Sequence, residues 1–404
     1  GAAAAAAAAA GESEEERLRL DQLARDTMAA HMARVEAAEG DAGEGAQDRA
    51  AWKWAIRKRI WDMMEATDIA EFPRPVHHRI PNFKGAEAAN EQLARLPEFQ
   101  GASCVKVNPD TPQKQIRFIT LNSGKTLLVP QPRLRTGFFS RLLKSNIPAP
   151  QLQKACTQAG VKDFGEAIGF DQPLPKVDLV VVGSAAVDPR SGARLGKGEG
   201  FAELEYGILR MMGVIDENTP VVTSIHDEQI LEPGEINTSK MLRHDVPVDI
   251  ICTPTQVIRT DRSIPKPTGI YWDLLSPEKL ASIKVLQHLK RKIEAETGQK
   301  LPEGQSEILP PVAFRGERAP RGGGAGGGGS ASARRGGRAV DGGRAQEGIR
   351  RDFDLFVTNL PYKASTKDLQ EHFSSAGRVE EVKLLQGKSK VNNRKSIHQA
   401  GRFW

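Results

Sequence analysis

Residues 177–213 read VDLVVVGSAAVDPRSGARLGKGEGFAELEYGILRMMG, and this stretch decides the fold class. Its first seven residues are almost continuously apolar, which is typical of a strand buried on both faces of a parallel sheet. A turn rich in Ser, Pro and Gly follows, and glycines at alternate positions then lead into a helical pattern that begins near Phe201. The stretch therefore predicts a strand, a glycine loop (residues 194–200) and a helix, in that order.

The glycine loop has the composition of an anion-binding site. Gly196, Gly198 and Gly200 lack a Cβ, so the backbone N–H groups around them can converge on a phosphate at the start of the following helix. Arg194 and Lys197 add positive charge beside the loop. The spacing matches neither a Walker loop nor a dinucleotide-binding fingerprint, so a purely structural turn is an equal alternative.

Short apolar runs and helical patterns alternate on both sides of this stretch. Such alternation over about 250 residues predicts one α/β domain, residues 51–302, with an open, mostly parallel sheet and flanking helices. Strands are predicted at 116–121, 126–129, 177–183, 220–226 and 248–253, and helices at 52–64, 86–96, 151–159, 202–213 and 277–296.

Composition divides the rest of the 404 residues. Residues 1–50 carry five basic and eleven acidic side chains with few bulky apolar ones, so we expect them to be disordered. Residues 303–352 are rich in Gly and Arg and predict a flexible linker, which leaves 353–404 as a further small domain.

Several function classes are excluded by composition. No apolar run approaches the roughly 18 residues of a membrane helix, so we expect no membrane association. Three separated cysteines without a CxxC pattern exclude a disulfide framework and a zinc knuckle. Acidic residues after the alanine run at 2–10 argue against export, and we expect a cytoplasmic or nuclear protein that is not secreted.

Segments in the α/β region, taken in order, resemble the 5-formyltetrahydrofolate cyclo-ligase family, whose members are also called methenyltetrahydrofolate synthetases. The glycine stretch is similar to the family signature RLGRGKGYYDR, and Lys53 with Ile56-Arg57 is similar to its amino-terminal K-x-x-L-R helix. LLVP (127–130), HDEQ (226–229) and HDVPVDIICTPT (244–255) resemble further family segments. The resemblance covers residues 51 to about 275.

The resemblance implies an enzyme that closes the ring of 5-formyltetrahydrofolate to 5,10-methenyltetrahydrofolate, using ATP and Mg²⁺. It also implies that Lys53 and Arg57 meet the ATP phosphates and that Glu203 stands where the family has an acidic metal ligand. The phosphate loop would consist of Arg194, Gly196, Lys197, Gly198 and Gly200. Nucleotide and folate are therefore the small-molecule partners that the resemblance predicts.

Three departures from the signature bear on catalysis. Glu199 replaces a Lys beside the expected phosphates, Ala202 replaces a Tyr, and Glu203 replaces an Asp. At an effective dielectric constant near 20, two like charges about 4 Å apart repel by several kcal/mol. We therefore expect a retained fold without turnover, and an active cyclo-ligase that carries an RNA-binding appendage is the alternative.

The carboxy-terminal region resembles the RNA recognition motif. LFVTNL (355–360) matches the first-strand hexamer of that motif, and a helical pattern and a strand through residue 386 follow in the expected order. The resemblance implies an RNA site formed by Leu355, Phe356, Val357 and Asn359, with the Phe356 ring stacking on a base. No third-strand octamer follows, so we expect a small, incomplete α+β ferredoxin-like module.

The linker supports the same partner. Arg321 and Arg335 each begin an RGG unit, and mobile arginines of this kind stack on bases and pair with phosphates. A simple spacer is an equal alternative. The sequence thus predicts an RNA-binding protein that needs no cofactor for this function, and it leaves open a scaffold that binds neither RNA nor nucleotide. It does not predict an oligomeric state.

Four histidines complete the candidate residues. His77 and His78 lie in a Pro-flanked segment without a third metal ligand nearby, so we expect them to pack within a loop. His226 and His244 follow predicted strands and each precedes an Asp, which makes them candidates to line a pocket at the sheet edge.

Overall fold

Two compact units make up the chain, Gly1–Gly322 and Gly323–Trp404. The structure is a computed structural model, and the residues that it describes are 14–40, 51–134, 137–170, 172–311, 370, 385–386 and 395–396.

An eight-stranded sheet forms the centre of the first unit. The strands among the described residues are β1 (Ala70–Glu71), β2 (Asn82–Phe83), β3 (Cys104–Val107), β4 (Thr126–Pro130), β5 (Phe139–Leu142), β6 (Glu166–Ile168), β7 (Leu179–Val182), β8 (Ala186–Val187), β9 (Arg194–Leu195), β10 (Val221–Ser224), β11 (Ile250–Cys252), β12 (Val257–Arg259), β13 (Leu385–Gln386) and β14 (Lys395–Ser396). The order across the large sheet is β12-β11-β10-β7-β3-β4-β5-β6.

The five inner strands of this sheet, from β11 to β4, run parallel. β12 at one edge and β5 and β6 at the other pair antiparallel. Elsewhere, β1 pairs with β2 and β8 pairs with β9 as short antiparallel ribbons. The predicted fold class, an open and mostly parallel sheet with flanking helices, is confirmed.

The central strand β7 shows why the predicted strands are apolar without alternation. Leu179 and Val181 belong to one hydrophobic core, and Val180 and Val182 belong to another. Because successive side chains of a strand point to opposite faces, the two cores lie on opposite faces of the sheet. Each face is thus covered, and no residue of β7 is exposed to solvent.

Ten helices of at least four residues lie in the described part of the first unit. They are α1 (Glu14–Gly40), α2 (Ala51–Ala66), α3 (Ala86–Ala94), α4 (Pro97–Gly101), α5 (Lys114–Asn122), α6 (Leu152–Ala155), α7 (Gln158–Phe164), α8 (Phe201–Met211), α9 (Pro277–Ser282) and α10 (Lys284–Thr297). The predicted helix 151–159 is divided between α6 and α7, and the predicted helix 277–296 is interrupted at Ile283.

The prediction of a strand at 116–121 was wrong, because these residues belong to the helix α5. Ile116 and Thr120 lie one helical turn apart and are both buried, whereas Phe118 packs only partly against the core. The parallel pairing of β3 with β4 requires a crossover, and α5 supplies it. β3 itself was missed, because its sequence CVKV places a lysine in the sheet.

The prediction that residues 1–50 are disordered was wrong for the 27 residues of α1. Leu20, Ala24, Met28, His31 and Val35 recur every three or four residues and are buried. This stripe packs on α2, and Arg25 pairs with Asp62 at 2.7 Å between Nη1 and Oδ1. The stripe was missed because alanine and histidine add little hydrophobicity to the sequence pattern.

In the second unit, the described residues include one antiparallel pairing. Leu385 lies opposite Ser396, and Gln386 lies opposite Lys395. The sequence predicts a strand that ends at residue 386 and no strand after it. The strand at 395–396 corrects this prediction. The predicted RNA-contact residues lie outside the described residues: Arg321, Arg335, Leu355, Phe356, Val357 and Asn359. The predicted domain boundaries stay predictions.

Two further properties concern the chemistry of the whole chain. Cys104, Cys156 and Cys252 are free and buried, and burial raises the pKa of the Cys156 thiol to about 11. Within the described ranges, every helix is too short or too polar to span a membrane.

A substitution in α5 tests the helical assignment of residues 116–121. We expect Ile116→Ala to lower the free energy of unfolding by about 2–5 kcal/mol, because it leaves a cavity in a fully buried position. Ile119→Ala is the matched control, since Ile119 lies in the same helix and is only partly buried. Urea-induced unfolding measures both, and an equal loss at the two positions would contradict the observed helix face.

Candidate functional site

A cleft of about 1180 Å³ opens at the carboxyl ends of the parallel strands. We call this cavity the cleft; its walls include Asn108 and Asp110 after β3, Gly183 after β7, and the glycine loop. Pockets in open α/β sheets form at this edge, because the loops that leave neighbouring strands diverge there. The ribbon of β8 and β9 returns the chain to this edge, where Arg194 donates a hydrogen bond to the Gly183 carbonyl at 2.6 Å.

The glycine loop lies directly in the cleft wall and ends at α8. Gly198 and Gly200 have φ angles of +89° and +68°, which side chains of L-residues rarely adopt. A Cβ at Gly198 would also lie 2.4 Å from the Trp54 ring. Glycine is therefore required at residue 198 by both backbone angle and contact, so this glycine has a structural role whatever the loop binds.

Lys53 and Arg57 of α2 are brought to the loop, as the family resemblance implies, but both have protein partners. The Lys53 ammonium lies 2.6 Å from the Asp245 carboxylate in a buried ion pair. Arg57 donates from Nε to the Gly196 carbonyl at 2.7 Å, and its guanidinium lies 4.5 Å from the centroid of the Trp54 ring. Burial lowers the pKa of Arg57 to about 10, so it stays charged at neutral pH.

Arg194 and Glu203 also pair with each other. The buried guanidinium of Arg194 binds the Glu203 carboxylate and donates to the Val246 carbonyl at 3.1 Å. Among the described residues, no three His, Cys, Asp or Glu side chains are arranged to hold a metal ion. As arranged, the Glu203 carboxylate is therefore a partner of Arg194.

Glu199 lies between two cations of the cleft. Its carboxylate oxygens lie 2.9 Å from Lys197 Nζ and 3.1 Å from Arg133 Nη2. Although burial acts to lower the pKa of Lys197, the carboxylates of Asp110 and Glu199 raise it above its ordinary value. The anion that neutralises Lys197 and Arg133 is thus a carboxylate of the chain itself.

The described residues of the cleft carry balanced charge. Seven are basic: Lys53, Arg57, Arg79, Arg133, Arg194, Lys197 and Lys279. Seven are acidic: Asp110, Glu199, Glu203, Glu205, Asp245, Asp273 and Glu307. The basic side chains that could meet a phosphate are thus matched in number by acidic side chains of the same lining.

A buried ion pair at the cleft floor was missed by sequence analysis. Lys106 on β3 lies 2.8 Å from a carboxylate oxygen of Glu205 on α8, and its ammonium also binds the Asn108 side chain. Burial raises the pKa of Glu205, and the nearby ammonium partly offsets that rise. The available signal was a lysine within the otherwise apolar run CVKV.

Other cleft residues come from distant segments that carry no motif. Lys279 lies 3.9 Å from the centroid of the Phe201 ring and donates to the Glu199 carbonyl. Residues 305–310 form part of the cleft wall and are fixed by a 2.6 Å hydrogen bond from Ser276 to Glu307. No spacing rule in the sequence relates these segments to the loop.

The histidine expectations have mixed outcomes. His244 and Asp245 line the cleft, whereas His226 and Asp227 do not. His226 caps a short turn by accepting from the Glu228 N–H at 3.1 Å, and Asp227 accepts from Thr253 at 2.6 Å.

His77 and His78 are both buried in the loop that packs on α2. His77 Nε2 lies 2.9 Å from Asp62, and His78 reaches the cleft wall. The pair is therefore part of a packed interface, as expected, and His78 also borders the site.

The Lys106–Glu205 pair gives a test of the cleft floor. We expect Lys106→Met to lower the free energy of unfolding by about 3–5 kcal/mol, because it leaves a buried carboxylate without its partner. The double variant with Glu205→Leu removes both charges and should recover most of the loss. Urea-induced unfolding is the measurement. A double variant as unstable as the single one would show that packing of the lysine, and not the charge pair, matters.

Comparisons with known proteins agree with this geometry. The sequence model of the 5-formyltetrahydrofolate cyclo-ligase family matches residues 49–254, and that of the RNA recognition motif matches residues 355–396. A human methenyltetrahydrofolate synthase domain-containing protein is 40% identical over 334 residues, which cover 81% of this chain and 84% of that protein.

Proteins of the same name match from mouse and cattle. The mouse protein is 50% identical over 252 residues, which cover 61% of this chain and 65% of the mouse protein. The bovine protein is 46% identical over 271 residues, which cover 66% of this chain and 69% of the bovine protein. The matched segment thus spans about two thirds of the length of each.

A solved structure, the NMR structure of Aquifex aeolicus 5,10-methenyltetrahydrofolate synthetase, matches at 18% identity and a TM-score of 0.32. That match covers 51% of this chain and 92% of the solved one, and the assignment does not depend on it. The family match covers about half of this chain, and the human relative is covered over most of its length. The chain therefore belongs to the 5-formyltetrahydrofolate cyclo-ligase family, and a segment that matches the RNA recognition motif follows its family domain.

Proposed function

We propose that the chain is an RNA-binding protein whose cyclo-ligase-like domain does not catalyse ATP-dependent ring closure. The observation that carries the second half of this proposal is the position of Glu199, whose carboxylate already binds Lys197 and Arg133 in the cleft. A phosphate that used these two cations would have to displace that carboxylate.

The energy of this competition is large. A phosphate oxygen about 4 Å from the Glu199 carboxylate would be repelled by about 4 kcal/mol at an effective dielectric constant of 20. The carboxylate is tethered and largely buried, with a side-chain exposure of 12%. Its release would also leave the loop without the contact to Arg133, so the internal ion pair competes directly with nucleotide.

The RNA half of the proposal is supported by the match of residues 355–396 to the RNA recognition motif. The hexamer LFVTNL places Phe356 at the position where the motif stacks a base. Leu355, Val357 and Asn359 belong to the same hexamer, and the RGG units at Arg321 and Arg335 add positive charge nearby in sequence. Backbone phosphates would account for a salt-dependent part of the affinity.

One observation favours the alternative, an active cyclo-ligase that uses ATP and Mg²⁺ and carries an RNA-binding appendage. Lys53, Arg57 and the glycine loop converge on a single cleft, as a working phosphate site requires. Binding of folate or nucleotide without turnover is an intermediate case. A scaffold that binds neither RNA nor nucleotide is the third hypothesis, and it predicts no crosslinking to RNA.

Crosslinking to RNA tests the first half of the proposal. We expect Phe356→Ala to weaken RNA binding by about 5- to 150-fold, because stacking contributes roughly 1–3 kcal/mol per base. Phe353→Ala is the matched control, since the same ring type precedes the hexamer. Ultraviolet crosslinking of the full chain at fixed salt is the measurement. Unchanged crosslinking by Phe356→Ala would assign any RNA contact to other segments, such as the Gly- and Arg-rich linker at 303–352.

Enzyme assays test the second half. We expect the wild-type chain, supplied with ATP and Mg²⁺, not to convert 5-formyltetrahydrofolate. The absorbance of the methenyl product is the measurement. Glu199→Gln removes the competing charge at nearly constant shape and should tighten ATP binding by roughly tenfold or more. Glu296→Gln is the matched control on an exposed helix position. Wild-type turnover at an ordinary enzymatic rate would establish the alternative function instead.

A further inference from the structure

The helix α1 lies outside the residues that match the cyclo-ligase family, yet it forms part of the cleft. The family match begins at residue 49, and α1 ends at Gly40. Val35 of this helix lines the cleft, and Met28 and Val35 share a hydrophobic core with residues of α2. The cleft wall therefore includes an element that the family match does not contain.

One side chain, Trp54, connects this helix to the glycine loop. The His31 ring of α1 meets the Trp54 ring edge-on, with 4.7 Å between the ring centroids. On the loop side, Gly198 approaches the same indole so closely that no Cβ fits between them, and Arg57 stacks on it. Arg57 in turn holds the Gly196 carbonyl. A displacement of α1 would thus remove one of the contacts that fix the loop.

The interface between α1 and the rest of the domain contains many polar atoms that make no hydrogen bond. Among the described residues, thirteen buried side-chain polar atoms lack a partner, and eight of them belong to α1, α2 or the loop at His77 and His78. Both ring nitrogens of His31 and both of His78 are in this group. Each buried polar group without a partner weakens the packed state, so α1 is held less firmly than its apolar contacts suggest.

The charges around these two imidazoles oppose their protonation. His31 faces Arg34 on its own helix and Arg57 on α2, and burial lowers its pKa. His78 lies between the rings of His31, Trp54 and Trp61, and burial lowers its pKa to about 4.

Further charged groups surround the pair without changing this direction. His77 and Arg57 also lower the pKa of His78, and Glu199 acts weakly in the opposite sense. Asp21 and Asp62 face His77, where Nε2 has a carboxylate partner at 2.9 Å. Among the described residues, His31 and His78 are therefore buried imidazoles whose ring nitrogens make no hydrogen bond.

We propose that helix Glu14–Gly40 is a displaceable wall of the cleft, which docks only while His31 and His78 are uncharged and which fixes the glycine loop through Trp54. The inference is independent of whether the cleft turns over ATP. Displacement of α1 opens the cleft beside Val35. It also removes the His31 ring from Trp54, the side chain that packs on the glycine loop, so access to the cleft and the shape of its anion site change together.

The direction of the pH effect follows from proton linkage. With α1 displaced, His31 takes an ordinary pKa near 6.5, and His78 loses the His31 ring that covers it. With α1 docked, burial lowers the pKa of both. The displaced state therefore binds more protons as the pH falls below about 6.5. Docking should therefore weaken as the pH falls below about 6.5, by at most about tenfold per pH unit for each histidine that takes up a proton.

Hydrogen exchange of the full chain, followed by mass spectrometry and corrected for the intrinsic exchange rate, tests the proposal at pH 7.5 and 5.5. We expect peptides from residues 14–40 and 194–200 of the wild type to lose protection together at pH 5.5, by tenfold or more. Peptides from β7 should keep their protection, because this strand lies in the centre of the sheet. Unchanged protection of 14–40 at pH 5.5, or loss there without loss in the loop, would overturn the proposal.

Two variants at residue 31 separate the charge from the packing. His31→Phe keeps an edge-on ring without a titrating group, so the loss of protection at pH 5.5 should be clearly smaller than in the wild type. His31→Arg carries a permanent charge and should displace α1 already at pH 7.5 while β7 stays protected. His288→Phe, at an exposed position of α10, is the matched control and should behave as the wild type. A His31→Phe variant with the full wild-type response would also overturn the proposal.

Discussion

Burial of the central strand on both faces is the constraint on which the rest of the structure depends. Leu179 to Val182 contribute alternately to two hydrophobic cores, so helices must cover both sides of the sheet. Every connection between parallel strands then leaves from the carboxyl ends of the strands and crosses one face to their amino ends. Polar residues that follow the strands are thereby collected at the carboxyl ends, which is where the cleft lies. The location of the site is a consequence of the sheet, whatever chemistry the site performs.

Ion pairs within the cleft decide what that site can bind. Lys53, Arg194 and Lys197 each have a carboxylate partner from the chain, and the described lining carries as many acidic as basic groups. A buried charge that loses its partner is strongly unfavourable, so a ligand must replace the whole contact and not merely add to it. A phosphate at this loop would therefore have to compete with the carboxylates that already pair with its cations. The loop backbone is held by Trp54 and Arg57, which do not depend on a bound nucleotide.

The same residues connect the cleft with a helix outside the family match. α1 is attached through an interface that combines apolar packing with unpartnered imidazoles, so its free energy of docking is a difference between opposing contributions. An element bound in this way is suited to move without unfolding the sheet. The domain thus offers a rigid part, the two cores around β7, and a less firmly held part, the wall beside Val35 and the glycine loop. The segment that matches the RNA recognition motif, later in the chain, does not require either part to be catalytic.

The sequence by itself determined the parallel sheet, the glycine loop and the order of the family segments, because continuous apolar runs and glycine spacing are local properties. It also indicated that Glu199 is unusual, but not that Arg133, 66 positions away, binds it. Tertiary structure alone decided the ion-pair partners, the buried Lys106–Glu205 pair and the docking of α1. Partners of a buried charge depend on which strands and helices become neighbours, and a stripe of alanine, methionine and histidine becomes a core only against a matching surface. Both are properties of the packed chain, and no window of sequence contains them.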